Sequence, residues 1–130
     1  MNNKIKVLLV EDDTTLSLLL KFRLQKEGYL PLVAHDGKQA VEIIGNDQPD
    51  IILSDIMLPF ISGLEVISHV RNELNLSIPI LIFSAAGQEE MVLKAFDLGA
   101  NDFMAKPFSP NELMIRIKRI LQNSGQAILN

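Results

Sequence analysis

The stretch IKVLLVEDD, residues 5–13, joins a continuous apolar run directly to three acidic residues. The same order appears twice more, where IILSD, residues 51–55, ends on an aspartate and where FMAK, residues 103–106, ends on a lysine. Continuous apolar runs are typical of strands that are buried on both faces of a parallel sheet. Because the carboxyl ends of parallel strands meet at one edge of the sheet, we expect these acids and the lysine to converge on one cleft.

Predicted strands and helices alternate along the whole chain. Short runs rich in Val, Ile and Leu are separated by longer segments with helical spacing of apolar residues, which is the pattern of βα units around a parallel sheet. Right-handed crossovers between such units produce a doubly wound α/β sheet. The five predicted strands are residues 5–10, 30–34, 51–54, 80–83 and 103–105.

Helix ends are predicted from capping residues. The first helix, residues 14–27, precedes Gly28, and the fourth, near residues 88–98, precedes Gly99; glycine readily adopts the left-handed conformation that ends a helix. The other three helices begin with a short polar residue followed three positions later by Glu or Gln. These pairs are Asp36 with Gln39, Ser62 with Glu65, and Ser109 with Glu112. The predicted core residues of the first helix are Leu16, Leu19, Leu20 and Leu24.

The composition indicates one globular domain with an acidic surface. The chain has 130 residues, 48% of them hydrophobic, and a formal net charge of -4, which disfavours binding to nucleic acid or to anionic membranes. Cysteine is absent, which excludes disulfides and thiolate chemistry, and no apolar run approaches the ~20 residues of a membrane span. We expect a cytoplasmic domain over residues 1–121, followed by a flexible tail or truncated linker over residues 122–130.

The acidic residues have structural as well as chemical interpretations. Asp13 stands where the first helix begins, so an N-cap role is the simpler reading. Asp55 lies at the exit of a buried strand, where a carboxylate can be a cap, a ligand for a hard metal ion or a nucleophile. Lys106 can be a surface lysine, although its position before Pro107 at the predicted cleft favours a role there.

Four short motifs, in this order, carry a family resemblance: VEDD at residues 10–13, SDIMLP at 54–59, FSA at 83–85 and KPF at 106–108. Together with the alternation around them, they make the chain resemble the receiver domain of two-component response regulators, which has the flavodoxin-like fold. This resemblance implies a five-stranded parallel sheet of strand order 2-1-3-4-5 and five helices in a three-layer α/β/α sandwich.

The resemblance also implies a phosphoacceptor and a metal site. Asp55 matches the aspartate that accepts a phosphoryl group from a histidine kinase. Asp12, Asp55 and the backbone carbonyl of Met57 match the ligands of Mg²⁺, with Mn²⁺ as a substitute, and Glu11 matches the acid that acts through bound water. Mg²⁺ prefers an octahedral shell of oxygen ligands, which this set can supply.

Further matching positions are implied to bind the phosphoryl group and to switch. Lys106, Ser84 and Ala85 match phosphoryl-binding positions, and the Lys106–Pro107 bond is expected to be cis, a geometry that X-Pro bonds allow at small cost. Phe103 matches the aromatic residue that turns inward when Ser84 moves toward the phosphoryl group. Many relatives have Tyr at that position, so here the switch would depend on burial without a hydroxyl.

Two partner surfaces are predicted. Leu18 and Phe22 lie off the core stripe of the first helix and are candidates for docking a kinase or a histidine phosphotransfer protein; the alternative is that they widen the core face. Helix 4, strand 5 and helix 5 form the output face in similar regulators, and some of those dimerise through it. The residues that suit this face are Asp102, Glu112, Ile115, Arg116 and Arg119, whereas the fourth-helix position that is basic in those relatives corresponds to Val92.

Three functions compete on the sequence alone. The first is a phosphoacceptor module that modifies only itself and turns over no external substrate. The second is a phosphatase of the haloacid-dehalogenase type, which also uses an Asp nucleophile with Mg²⁺, but those enzymes carry a second acid two residues after the nucleophile, where this chain has Met57. The third is a degenerate receiver that acts only as a scaffold, which an intact set of Asp12, Asp55, Ser84 and Lys106 disfavours.

Overall fold

The computed structural model of the protein describes residues 3–125. Within them, five strands alternate with five helices, and the strands form one parallel sheet. The elements are β1 (Lys6–Val10), α1 (Thr14–Lys26), β2 (Leu30–Ala34), α2 (Gly37–Asp47), β3 (Ile51–Asp55), α3 (Gly63–Ser68), β4 (Ile80–Ser84), α4 (Glu89–Leu98), β5 (Asp102–Ala105) and α5 (Pro110–Asn123). The sheet order is β2-β1-β3-β4-β5, which confirms the predicted doubly wound fold.

The three central strands are buried along almost their whole length. Every residue of β3 and β4 and four of the five residues of β1 are buried, whereas the edge strands β2 and β5 are partly exposed. Central strands covered by helices on both faces have no polar face, which explains their continuous apolar runs. Observed strand bounds differ from the predicted ones by at most one residue at either end.

Two hydrophobic cores lie on opposite faces of the sheet. One packs α1 and α5 against it through residues such as Leu24 and Ile117, and the other packs α2, α3 and α4 through residues such as Ile44 and Ala95. One predicted core residue is wrong, because Leu19 is 52% exposed. It lies about 100° around the helix from Leu20, outside the stripe that faces the sheet.

The predicted helix starts are observed, but only one of the three predicted pairs forms a complete capping box. Ser62 and Glu65 form a reciprocal capping box at α3. At α2, Asp36 accepts a hydrogen bond from the Gln39 N–H, but the Gln39 side chain accepts from the His35 N–H, one residue before the cap. At α5, Ser109 accepts bonds from two backbone N–H groups, but the Glu112 carboxylate lies 3.2 Å from Arg116 Nη2 and does not return to the cap. A nearby cation therefore replaces half of that capping box.

Arg71 connects α3 to the far end of α4. It lies in a π-helical segment, His69–Glu73, that continues α3. Its guanidinium donates to the carbonyl of Gly99 from Nε at 3.1 Å and from Nη2 at 2.9 Å, and to the carbonyl of Leu76 from Nη1 at 2.9 Å. Nη2 also donates to Asn101 Oδ1 at 3.0 Å. The carboxyl end of α4 is therefore held by a side chain from its neighbour.

The predicted tail overlaps the last helix. α5 extends through Asn123, two residues into the segment expected to be a tail or linker, and residues 126–130 lie outside the described part of the chain. Among residues 3–125, none of the helices combines the length and the apolar character that crossing a bilayer would require.

Candidate phosphoacceptor and metal site

The carboxyl ends of four strands bring the predicted site residues together. Glu11 follows β1, Asp55 ends β3, Ser84 ends β4, and Lys106 follows β5. Backbone hydrogen bonds tie these ends into one edge, because the Lys106 N–H donates to the Ser84 carbonyl at 2.7 Å and the Glu11 N–H donates to the Ala34 carbonyl at 3.0 Å. The site is therefore built on the rigid sheet, and its side chains extend from strand ends.

Lys106 lies between two buried carboxylates. Its Nζ is 2.7 Å from Asp55 Oδ1 and 2.8 Å from Glu11 Oε1. Glu11 is fully buried, Asp55 is 6% exposed, and about a quarter of the Lys106 side chain remains accessible. The other Glu11 oxygen, Oε2, accepts a hydrogen bond from the Asp13 N–H at 3.1 Å. Glu11 thus contacts the lysine directly, a contact that its predicted role through water did not include.

Negative charge exceeds positive charge at this edge. Burial, with Glu11 beside it, raises the pKa of Asp55 to about 8, against the opposing effect of Lys106. Burial alone would lower the pKa of Lys106, but its hydrogen bonds to Asp55 and Glu11 outweigh burial and raise that pKa. A single ammonium therefore compensates the carboxylates only in part.

The acidic cluster has the donor set of a hard metal ion. One carboxylate oxygen from each of Glu11, Asp12 and Asp55 lies within 4.8 Å of the others, and Asp12 is exposed to solvent. Three converging oxygens with surplus negative charge fit Mg²⁺, which keeps several waters in its shell. Met57 lies two residues beyond Asp55 and is 56% exposed, and the ligand role of its carbonyl stays a prediction.

Gly63 allows α3 to approach the end of β3 closely. The Gly63 N–H donates to the Ile56 carbonyl at 2.7 Å, and a Cβ on this glycine would overlap the Asp55 carbonyl oxygen and lie 2.8 Å from Ile56 Cα. Gly63 directly follows Ser62, the predicted cap of the third helix. A close approach of two backbones leaves no mark in sequence beyond the glycine itself.

The loop after β4 contains a contact that sequence reasoning missed. Ser84 is buried at the strand end, and the Ala85 N–H that follows it donates to Gln88 Oε1 at 2.7 Å. Phe103, the predicted switch aromatic, is 39% exposed and packs edge-on against Phe96, with ring centroids 6.1 Å apart. The Lys106–Pro107 peptide bond is cis. The aromatic ring therefore occupies an outward position in this structure.

The predicted partner residues fall on two separate surfaces. On α1, Leu18 is 65% exposed and Phe22 is 72% exposed, so neither belongs to the core face. Near α5, Ile115 is 60% exposed and Arg119 is also exposed. The two surfaces are available to solvent in the described chain.

The charged residues that were predicted to pair between two copies of the chain already form ion pairs within one copy. Arg116 lies 3.1 Å from Asp102 and 3.2 Å from Glu112. Val92, the predicted counterpart of the basic position on α4, is only 8% exposed and packs into the core, so it presents no group on the predicted output face. A dimer of the salt-bridged type would have to exchange the Asp102 and Glu112 contacts of Arg116.

Comparisons with known proteins agree with this architecture. The protein-family model of the response regulator receiver domain matches residues 7–118 of this chain. The alkaline phosphatase synthesis transcriptional regulatory protein PhoP of Bacillus subtilis is 39% identical over 119 residues, which are 92% of this chain and 49% of that protein. The chain thus spans about half the length of this relative.

Solved structures of the same architecture superimpose closely. The receiver domain of a Francisella response regulator is 30% identical with a TM-score of 0.85, covering 93% of this chain and 99% of that one. A response regulator structure from Chloroflexus aurantiacus is 36% identical with a TM-score of 0.85, covering 92% and 99%. The chain belongs to the response regulator receiver domain family, and thereby to two-component signal transduction.

Proposed function

We propose that this receiver domain accepts a phosphoryl group on Asp55 from a histidine kinase or a histidine phosphotransfer protein. The observation that carries the proposal is the position of Lys106, whose ammonium contacts both Asp55 and Glu11 in a buried site. Phosphoryl transfer needs mainly positioning and charge neutralisation. Lys106 can hold a phosphoryl oxygen while it remains beside the attacking carboxylate.

The donor imidazole is the leaving group in the transfer step. An Asp55 carboxylate oxygen forms the new P–O bond while the P–N bond to the donor imidazole breaks, and the bonding electron pair returns to the imidazole nitrogen. The reaction is limited to this self-modification and to later hydrolysis of the acyl phosphate by water. No external substrate is turned over in this proposal.

Asp12, Asp55 and the Met57 carbonyl would hold Mg²⁺, or Mn²⁺ in its place, with Glu11 acting through a bound water. The metal ion would neutralise charge on the phosphoryl oxygens as the new bond forms. The chain contributes the oxygens, their spacing and the buried setting of Glu11 and Asp55. Asp12 is the exposed member of the cluster, so its carboxylate is the one that ions in solvent can reach most directly.

Phosphorylation is proposed to switch the surface of α4, β5 and α5. The Ser84 hydroxyl and the Ala85 N–H would donate to phosphoryl oxygens, which draws the end of β4 toward Asp55. Phe103, now 39% exposed, would then turn into the space that Ser84 leaves. The outward ring in the unmodified chain is the starting state that such a switch requires.

Leu18 and Phe22 on α1 are proposed to dock the phosphodonor protein, because they form an exposed apolar pair on the helix that follows the acidic residues 11–13. A Phe22→Ala variant should then lose phosphorylation by its kinase while keeping phosphorylation by a small donor. Equal loss with both donors would contradict a docking role.

Pairing of two copies through α4, β5 and α5 is proposed around Ile115 and the Arg116 network. An Ile115→Asp variant should remain monomeric under phosphorylating conditions in which the native chain dimerises. Native chain that stays monomeric when fully phosphorylated would contradict this pairing.

One experiment tests the phosphoacceptor function. The native chain and Asp55→Asn are incubated with Mg²⁺ and acetyl phosphate, and intact mass is followed over time. We expect one acid-labile phosphoryl adduct on the native chain, none on Asp55→Asn, and an unchanged adduct on the exposed-site control Asp97→Asn. Sustained hydrolysis of many donor equivalents would instead indicate a phosphatase, and the absence of any adduct would indicate a scaffold.

A further inference from the structure

The Gln88 side chain accepts a hydrogen bond from a backbone N–H next to the proposed phosphorylation site. Gln88 is the N-cap residue of α4, but its side chain makes no cap hydrogen bond to that helix. Its amide oxygen instead accepts the Ala85 N–H at 2.7 Å, three residues back along the loop. Ala85 directly follows Ser84, which is buried at the end of β4. The side chain thus joins the start of α4 to the strand end at the site.

The Ala85 N–H has one hydrogen and two candidate acceptors. In the unmodified chain, its acceptor is the neutral amide oxygen of Gln88. A phosphoryl oxygen on Asp55 carries negative charge, and charge-assisted hydrogen bonds are roughly twice as strong as neutral ones. The phosphoryl oxygen should therefore displace the amide oxygen when both can reach the same N–H.

We propose that Gln88 is a positioning residue for phosphoryl binding, which holds the Ala85 N–H in the unmodified chain and releases it to the phosphoryl group on Asp55. The inference rests on the proposed phosphorylation of Asp55. It adds a competitor from within the chain and a direct link between the site and α4. Release of the Gln88 side chain removes its connection between the strand end and the first turn of that helix.

The two ends of α4 would respond differently to this exchange. The carboxyl end is held by Arg71, which donates two hydrogen bonds to the Gly99 carbonyl. The amino end has no side-chain cap, and its N-cap residue is the one that the exchange releases. α4 should therefore loosen at residues 88–92 and stay fixed near Gly99.

Beryllofluoride with Mg²⁺ is a suitable probe because it imitates a phosphoryl group without a covalent step. Its affinity is measured by calorimetry for the native chain, Gln88→Ala, Gln88→Glu and a matched control on α1, Gln25→Ala. We expect Gln88→Ala to bind roughly threefold to tenfold more tightly, because a competing hydrogen bond is removed. Gln88→Glu should bind at least tenfold more weakly, because its carboxylate accepts the N–H more strongly and repels the anion.

The opposite directions of the two variants distinguish competition from a structural role. A residue that only supports the loop would weaken binding in both variants, and that result would overturn the inference. Binding by the native chain with no change beyond twofold in either variant would also overturn it, while leaving phosphorylation of Asp55 intact. Failure of the native chain to bind the probe would overturn the proposed function together with this inference.

Hydrogen exchange supplies a second readout in the same samples. Backbone hydrogen bonding in α4 begins with the Val92 N–H, which donates to the Gln88 carbonyl at 3.0 Å. Beryllofluoride should speed amide exchange at Val92 in the native chain and leave residues 98–100 unchanged. In Gln88→Ala, the Val92 amide should exchange quickly even without the probe. Equal exchange in native and Gln88→Ala without the probe would contradict a link through this side chain.

Discussion

The two ends of the sheet both contain a partly or fully buried charged group, but they compensate it differently. At the carboxyl end, Lys106 is shared by Asp55 and Glu11, with Asp12 close by, so negative charge is in excess. At the amino end, Arg71 donates to neutral acceptors only, the carbonyls of Gly99 and Leu76 and the side-chain oxygen of Asn101.

The two ends of the sheet therefore differ in how their charged groups affect the stability of the fold. Neutral acceptors satisfy the donors of a guanidinium without competing for a second ligand. Excess carboxylate charge, by contrast, lowers the stability of the free protein, and binding of a cation offsets that cost. The carboxyl end should therefore gain stability when its charge is removed, and the amino end should lose stability.

The largest effect is expected from Gly63→Ala at the carboxyl end. A Cβ there would overlap the Asp55 carbonyl and crowd Ile56, both backbone groups that cannot move aside cheaply. We expect a loss of about 3 kcal/mol in the free energy of unfolding, measured by urea denaturation. The slope of that free energy against urea concentration should stay unchanged. Gly45→Ala is the matched control, because a Cβ on that α2 glycine meets no atom within 4 Å. A cost below about 1 kcal/mol for Gly63→Ala would contradict the close packing.

At the amino end, Arg71→Ala should cost roughly 2 kcal/mol, because it leaves partly buried carbonyl groups without their donors. The control is Arg23→Ala, which removes an exposed ion pair with Glu27 one helical turn away and should cost less than about 0.5 kcal/mol. Equal costs in the same urea titrations would show that the Arg71 contacts contribute no more than a surface pair.

Asp55→Asn should stabilise the metal-free chain by about 1 to 2 kcal/mol at pH 8. The folded pKa of Asp55 lies near 8, above its usual value of 3.8, so the native state binds this proton more tightly than the unfolded state. The native chain therefore loses stability as pH rises from about 4 to 8. The advantage of the variant should be small at pH 5 and grow toward pH 8. An advantage independent of pH would contradict the assigned charge effect.

Among the four main predictions, the smallest effect belongs to Gly45→Ala itself. Gly45 lies inside α2 in open space, and alanine is the better helix former. We expect a gain of about 0.5 to 1 kcal/mol, with unchanged phosphorylation by a small donor. A change in phosphorylation rate would show that α2 influences the site, which the contrast between the two ends does not predict.

The sequence predicted the features that follow from strong local patterns. The strand ends were predicted within one residue because buried parallel strands have continuous apolar runs, and the motifs then identified the family. Leu19 was misplaced because five leucines in a short helix leave the edge of the core face ambiguous. Val92 was assigned by its alignment with relatives, whereas its burial depends on packing against neighbouring helices.

Contacts between distant side chains could not be predicted in this way. The Glu11–Lys106 ion pair joins residues 95 positions apart, and its geometry follows from the register of the whole sheet. The Gln88 contact depends on the course of one loop, and the Arg71 contacts depend on how α3 meets the end of α4. Polar residues at such positions are common on surfaces, so their identity alone carries no signal.

The most direct test of the excess negative charge is the effect of Mg²⁺ on stability at pH 8. Ligand that binds only the folded state raises the free energy of unfolding with its concentration. Unfolding of the native chain, Asp12→Asn, Asp55→Asn and the exposed control Asp97→Asn is measured by urea titration over a series of Mg²⁺ concentrations. We predict clear stabilisation of the native chain and of Asp97→Asn, and little or none of the two site variants. Equal stabilisation of all four proteins, or none of the native chain, would contradict the account.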